Sequence, residues 1–174
     1  SLLFLFLISN VLSQENEYFI DANFDLNNRI IEIYQTIDFT NTTSNNLDYI
    51  ILNDWAHSYF RPTTPLGKRL SEDFTLNFQR STKNQRGFTT IIDIKSDSII
   101  LDHTRLKENI DLVKVKLENL LKPNEKITIT IEYKIIIPIS DFTGYGIDKN
   151  NNINLSFAAQ PRVYDLSIIT GGLG

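Results

Sequence analysis

The sequence predicts a mainly β protein: an antiparallel β-sandwich or a curved sheet with mixed edges, carrying one inserted helix. Three observations lead there. Apolar and polar residues alternate with a period of two over most of the chain, which places each set on one face of a pleated strand. Short clusters of Asn, Asp, Ser and Pro punctuate the alternation where turns belong. One segment alone switches to a helical period, with Leu66, Leu70, Phe74 and Phe78 at steps of four.

The clearest strands lie in residues 113–138. Val113, Val115 and Leu117 alternate with Lys114, Lys116 and Glu118, and the Lys122-Pro123-Asn124-Glu125 turn follows. Then Ile127, Ile129, Ile131, Tyr133, Ile135 and Ile137 alternate with Thr128, Thr130, Glu132 and Lys134. Ile and Thr are β-branched, which suits a half-buried pleat. Pro123 presets φ for a turn, Asn124 tolerates unusual backbone angles, and Pro138 ends the run because it cannot donate to a ladder.

Upstream, Tyr18, Ile20, Ala22, Phe24 and Leu26 form the apolar face of a first strand, closed by the turn signal Asn27-Asn28. Residues 29–40 make a long second strand with Ile31, Ile33, Ile37 and Phe39 on one face. Residues 41–46 are a polar turn and 47–52 a third strand, so these three are expected to form an antiparallel meander. Thr64 as cap and Pro65 at the first position start a helix of about four turns, near residues 65–80. Strands return at 88–95, 99–103 and 153–157, for about seven or eight in all.

The composition, 41% hydrophobic and 22% charged, is that of a globular chain, and the length favours one domain. Net charge is −4 with no basic block, which argues against a nucleic-acid partner. The absence of cysteine removes disulfides and thiolate chemistry. Residues 2–11 are nearly continuous apolar sequence, too short for the roughly 20 residues that span a bilayer. They have the length of a signal-peptide core, with Val11 and Ser13 as small residues before a cleavage point at Gln14 or Glu15. Residues 1–14 are therefore expected to be a truncated signal peptide, and the mature protein to be exported: periplasmic, cell-surface or extracellular. The alternative is a buried N-terminal strand. No cysteine follows the run, so neither a lipoprotein anchor nor any stable membrane anchor is expected.

Few residues could carry chemistry. His57 and His103 each stand alone in sequence, although a site assembled from Asp54, His57 and His103 in three dimensions remains open. No Gly-x-Ser-x-Gly elbow occurs, and Gly144-Tyr145-Gly146 lacks the third glycine of a phosphate loop, reading instead as a loop that needs positive φ. Glu72 and Asp73 are expected to face solvent from the helix. Asn41-Thr42-Thr43 and Asn154-Leu155-Ser156 match glycosylation sequons. Trp55, Tyr59 and Phe60 read either as a sugar-stacking platform or as a satellite core under a loop. No catalytic or metal-ligating residue is assigned.

One resemblance goes further. In order along the chain come the strands of 18–40, then Leu47-Asp48-Tyr49-Ile50-Ile51-Leu52-Asn53-Asp54-Trp55-Ala56-His57-Ser58-Tyr59, then Thr64-Pro65-Leu66-Gly67-Lys68-Arg69-Leu70. Arg86-Gly87-Phe88-Thr89-Thr90-Ile91, Ile131-Glu132-Tyr133 and Phe142-Thr143-Gly144-Tyr145-Gly146 follow. This order resembles the N-terminal domain of M1 metallopeptidases, the aminopeptidase N and leukotriene A4 hydrolase superfamily, in the exported form of Bacteroidota. The resemblance implies a saddle-shaped β-sandwich, residues 15–174, that packs on a downstream zinc domain and walls its peptide-binding cleft. The Gly-x-Met-Glu-Asn loop, His-Glu-x-x-His and downstream Glu of that family do not occur here, so zinc is expected in a catalytic domain outside this chain. The resemblance also implies a substrate-binding role for Gln160, although Ala158-Ala159-Gln160-Pro161-Arg162 departs from the family pattern. The alternative is a free-standing exported β-sandwich that binds carbohydrate or protein.

Overall fold

The computed structural model describes residues 16–154 in full and the backbone of 167–170. The expected signal peptide (1–14), Gln160, residues 155–157 of the last expected strand and the 171–174 tail lie outside the described residues.

The fold is mainly β and antiparallel. The alternation of 18–40 makes a hairpin of β1 (Glu17–Asp25) and β2 (Ile30–Thr40), with Tyr18 opposite Ile37 and Ala22 opposite Ile33. Its turn is closed by Asp25, whose carboxylate accepts from the Asn28 backbone and side-chain nitrogens at 3.1 and 2.7 Å. The left-handed residue is Arg29 (φ 57°). β2 pairs along its whole length with β8 (Lys126–Ile136), and β8 pairs in turn with β4 (Phe88–Ser96). A bulge at Ile92 interrupts that last ladder, and the two-residue β5 (Ile99–Ile100) completes the first sheet in the order β1-β2-β8-β4-β5.

The second sheet contains β3 (Leu47–Asn53), β6 (His103–Arg105), β7 (Leu112–Leu121) and β11 (Ser167–Thr170), in the order β11-β3-β7-β6. A small ribbon of β9 (Gly146–Ile147) and β10 (Ile153–Asn154) stands apart. The inward faces of both sheets share one core: Ile31, Ile33 and Ile37 from β2, Ile129, Ile131 and Tyr133 from β8, Val113 and Val115 from β7, and Ile50 and Leu52 from β3.

One expectation about connectivity is corrected. β3 does not extend the β1–β2 meander but crosses to the second sheet; β7 and β8, joined by the 122–125 turn, also lie in different sheets. Alternation states which face is buried and not which strand lies alongside. The crossings are stapled by Asn41, which is fully buried. Its Nδ2 donates to the carbonyls of Asn45 (2.7 Å) and Leu121 (2.9 Å), and its Oδ1 accepts from the Thr43 amide and hydroxyl. The backbones of Asn41 and 124–125 exchange two further bonds. The segment expected as one strand over 99–103 also breaks, into β5 and β6, because Leu101 turns into the core.

The helix is shorter than its ridge. α1 spans Pro65–Glu72, begun as expected by Thr64, whose Oγ1 accepts from the Gly67 amide at 3.1 Å. It stops where Phe74 enters the left-handed region (φ 58°) and the Thr75 amide reaches back to the Leu70 carbonyl at 2.8 Å. That is a Schellman-type end. The Asp-Phe-Thr stretch is poor in helix formers, so packing decides its conformation. Phe74 is left 90% exposed, while Phe78 reaches full burial after the chain has reversed. Gly67 is required for a different reason: a Cβ there would stand 2.1 Å from the Pro62 carbonyl oxygen.

The two ends of the ridge should therefore behave oppositely in urea unfolding. Phe78→Ala is expected to cost about 3–5 kcal/mol, whereas Phe74→Ala should stay within about 0.5 kcal/mol of the wild type.

Candidate functional site

The best-organised polar site lies where β3 ends. Asp54 caps the 3-10 turn Trp55–Tyr59 and is almost wholly buried. Burial of a carboxylate demands donors, and three elements supply them. Arg105 of β6 binds Oδ2 at 2.5 Å, the Thr89 hydroxyl of β4 donates to Oδ1 at 2.6 Å, and the His57 amide donates to Oδ1 at 3.3 Å. Thr89 belongs to one sheet and Arg105 to the other, so the knot ties the two layers together.

His57 completes it. Its Nδ1 lies 3.2 Å from the Thr89 amide nitrogen and 3.0 Å from the Thr89 carbonyl oxygen. Its ring stacks on Phe60, with centroids 5.2 Å apart. Burial first, and then the Arg105 guanidinium, push the imidazole down to about 4, so it is neutral near pH 7. Burial likewise pushes the Asp54 carboxyl above its usual range, against the pull of Arg105 and Thr89.

Asp54 and His57 are thus brought together, but on Arg105 and Thr89 rather than on His103. His103 sits exposed on β6, paired through its backbone with Val115. Among the described residues no three His, Asp or Glu side chains gather as metal ligands. Sequence reading missed Arg105 and Thr89. The only signal was that an Asp before a buried turn needs a cation, and nothing local says which.

Beside the knot lies an aromatic satellite core of Tyr59, Phe78, Phe142 and Tyr145, with Trp55, Leu66 and Leu70 packed against it. Trp55 meets Tyr59 and Tyr145 edge-on at 5.0 and 5.4 Å, and the Tyr59 hydroxyl meets Thr143 Oγ1 at 2.6 Å. Of the three rings considered as a sugar platform, Tyr59 is fully buried and Trp55 half-buried; Phe60 is the exposed one. The 144–146 loop does need positive φ, with Gly144 at 85° and Gly146 at 135°. Glu72 is exposed on the last turn of α1, and Asp73 is exposed just past it. Asn41 of the first sequon is buried in its staple, where a glycan has no access. Asn154 is exposed, but the rest of its sequon lies outside the described residues.

A hollow of about 370 Å³ lies on the outer face of the five-stranded sheet, among Asp21, Glu32, Tyr34, Ile92, Glu132 and Lys134. Lys134 and Glu32 pair there at 2.6 Å, both half-exposed, and such pairs are weak. Comparison of the chain with known protein families and with curated proteins finds no match to either.

Arg105→Met leaves Asp54 buried without its cation and should cost about 3 kcal/mol; adding Asp54→Leu should recover much of that loss. The depressed His57 pKa means that the unfolded chain binds the extra proton. Stability from this group is complete above the unfolded value of 6.5 and is lost as pH falls towards 4. The expected slope approaches 1.4 kcal/mol per pH unit, and His57→Gln should flatten it in urea titrations between those two values.

Proposed function

We propose that this chain is the non-catalytic N-terminal β domain of an exported zinc aminopeptidase-like protein. On this reading it packs on a downstream zinc domain and forms one wall of the peptide cleft. The observation that carries the reading is convergence. Four of the separated segments that resemble the M1 metallopeptidase pattern, 47–59, 64–70, 86–91 and 142–146, meet at one end of the sandwich. Asp54 and His57 bond Thr89, Trp55 and Tyr59 pack on Tyr145, and Tyr59 reaches Thr143. Those residues pack together at that end of the fold, which is what the reading asks of them. Their role is to hold the two sheets rigid at that end.

A domain of this kind should carry a surface that is complete only when covered. Among the described residues β1 is an edge strand and supplies one: Phe19, Ile20 and Phe24, with Leu26 just beyond, are all 45–60% exposed. An edge strand with apolar side chains and unpaired backbone groups favours a protein neighbour. Zinc on this reading belongs to the neighbour. α1 carries Pro-Leu-Gly-Lys-Arg-Leu-Ser-Glu and no histidine, so no step of peptide hydrolysis is assigned to this chain.

The deciding observation is the reading frame past Gly174. A His-Glu-x-x-His motif within about 200 residues supports the proposal. A stop codon there overturns it in favour of a free-standing binding domain. The purified chain is expected to release no product from an aminoacyl anilide with added zinc; zinc-dependent turnover would defeat the non-catalytic assignment.

A further inference from the structure

The insert between β3 and β4 differs from the rest of the molecule in charge. Residues 61–86 hold six basic side chains, Arg61, Lys68, Arg69, Arg80, Lys83 and Arg86, against two acidic ones, Glu72 and Asp73. This stretch is +4 in a chain of net charge −4, so the remainder carries −8. None of the six cations is ion-paired among the described residues, whose pairs are Lys95–Asp93, Arg105–Asp54 and Lys134–Glu32. They are spread over 26 residues, so no basic block is visible in the sequence, and the backbone of residues 62–80 folds back on itself. The Gln79 amide donates to the carbonyls of Pro62 and Gly67 at 3.3 and 2.7 Å, and the Arg80 amide bonds the Leu76 carbonyl at 3.1 Å. Arg61, Lys68, Arg69, Arg80 and Lys83 are all exposed.

At the bend of this insert stands Phe74. It is the most exposed large apolar side chain of the described residues, at 90%, with Leu76 at 41% two residues on. It also occupies a left-handed position that suits Gly or Asn better than an aromatic residue.

We propose that this insert is a reversible docking element for an anionic lipid surface, with Phe74 and Leu76 entering the headgroup region and the exposed Lys and Arg of the same insert meeting acidic headgroups. Two features favour lipid over an acidic protein. The exposed apolar tip is a pair of side chains, far less than the roughly 800 Å² a protein partner covers on each side of a stable interface. An exposed aromatic side chain just past a helix that carries Lys68 and Arg69, in a segment of net positive charge, is instead what an interfacial anchor uses. The charge separation also sets orientation, because the −8 remainder is repelled by the surface that attracts the insert. No described helix is long and apolar enough to cross a membrane, and none is needed for adsorption. This inference stands independently of the peptidase reading.

Co-sedimentation of the full chain with lipid vesicles tests it, using phosphatidylcholine alone and phosphatidylcholine with about one-third phosphatidylglycerol. The apolar stretch at residues 2–8 would bind both vesicles alike, so the difference between them is the readout. Binding is expected to be stronger on the anionic vesicles and to lose that excess near 0.5 M salt, where screening shortens to about 4 Å. Phe74→Asn, which suits the backbone and should fold at least as well, is expected to weaken the anionic excess about fivefold or more. Lys68→Glu with Arg69→Glu should abolish it. Equal binding to both vesicles, or an anionic excess unchanged in Phe74→Asn, would overturn the proposal. So would equal competition by single-stranded DNA in wild type and Phe74→Asn, which would assign the patch to soluble polyanions.

Discussion

The fold depends first on the burial of one strand. β8 is paired on both sides, with β2 along its full length and with β4 across a bulge. Ile129, Ile131, Tyr133 and Ile135 of its inner face are essentially inaccessible to water, and Ile137 extends the row beyond it. That face is only useful if a second layer covers it, since the gain comes from apolar area removed from water. β3 and β7 provide the cover through Ile50, Leu52, Val113 and Val115. Every loop that carries candidate chemistry is positioned by the demand that these two layers meet.

Layer packing is non-directional, and polar contacts supply the direction. Asn41 binds the two crossings at one place, and Asp54 with Arg105, Thr89 and His57 binds the layers at another. The buried polar groups are costly when unpaired, which is why they select one relative placement of the sheets. In the core itself Tyr133 donates to Gln35 at 2.7 Å, a polar pair set among isoleucines. The proposed scaffold role rests on such rigidity, and the proposed lipid contact lies on the insert between β3 and β4.

Much of the local structure could be read in advance. The strands of 17–40 and 112–136, the Lys122–Glu125 turn with Asn124 at φ 63°, and the Thr64-Pro65 helix start all follow from short-range chemistry. The reading of Phe74 failed because a step of four is necessary for a ridge but does not force the backbone to continue. The candidate site was half legible. Asp54 and His57 were noticed for their types, but Arg105 and Thr89 lie 51 and 35 residues from Asp54.

Alternation of side chains along each strand was sufficient to establish that this is a layered β protein and, for β2, β7 and β8, which residues face inward, because the pleat has a period of two whatever lies beside it; on β1 the same pattern left Ile20 and Phe24 exposed. Which strands became neighbours, that β3 left the meander, that Asp54 found its cation and that Phe74 was left exposed at a left-handed turn were settled by folding. Those outcomes depend on contacts between residues far apart in the chain, whose energies no local pattern encodes.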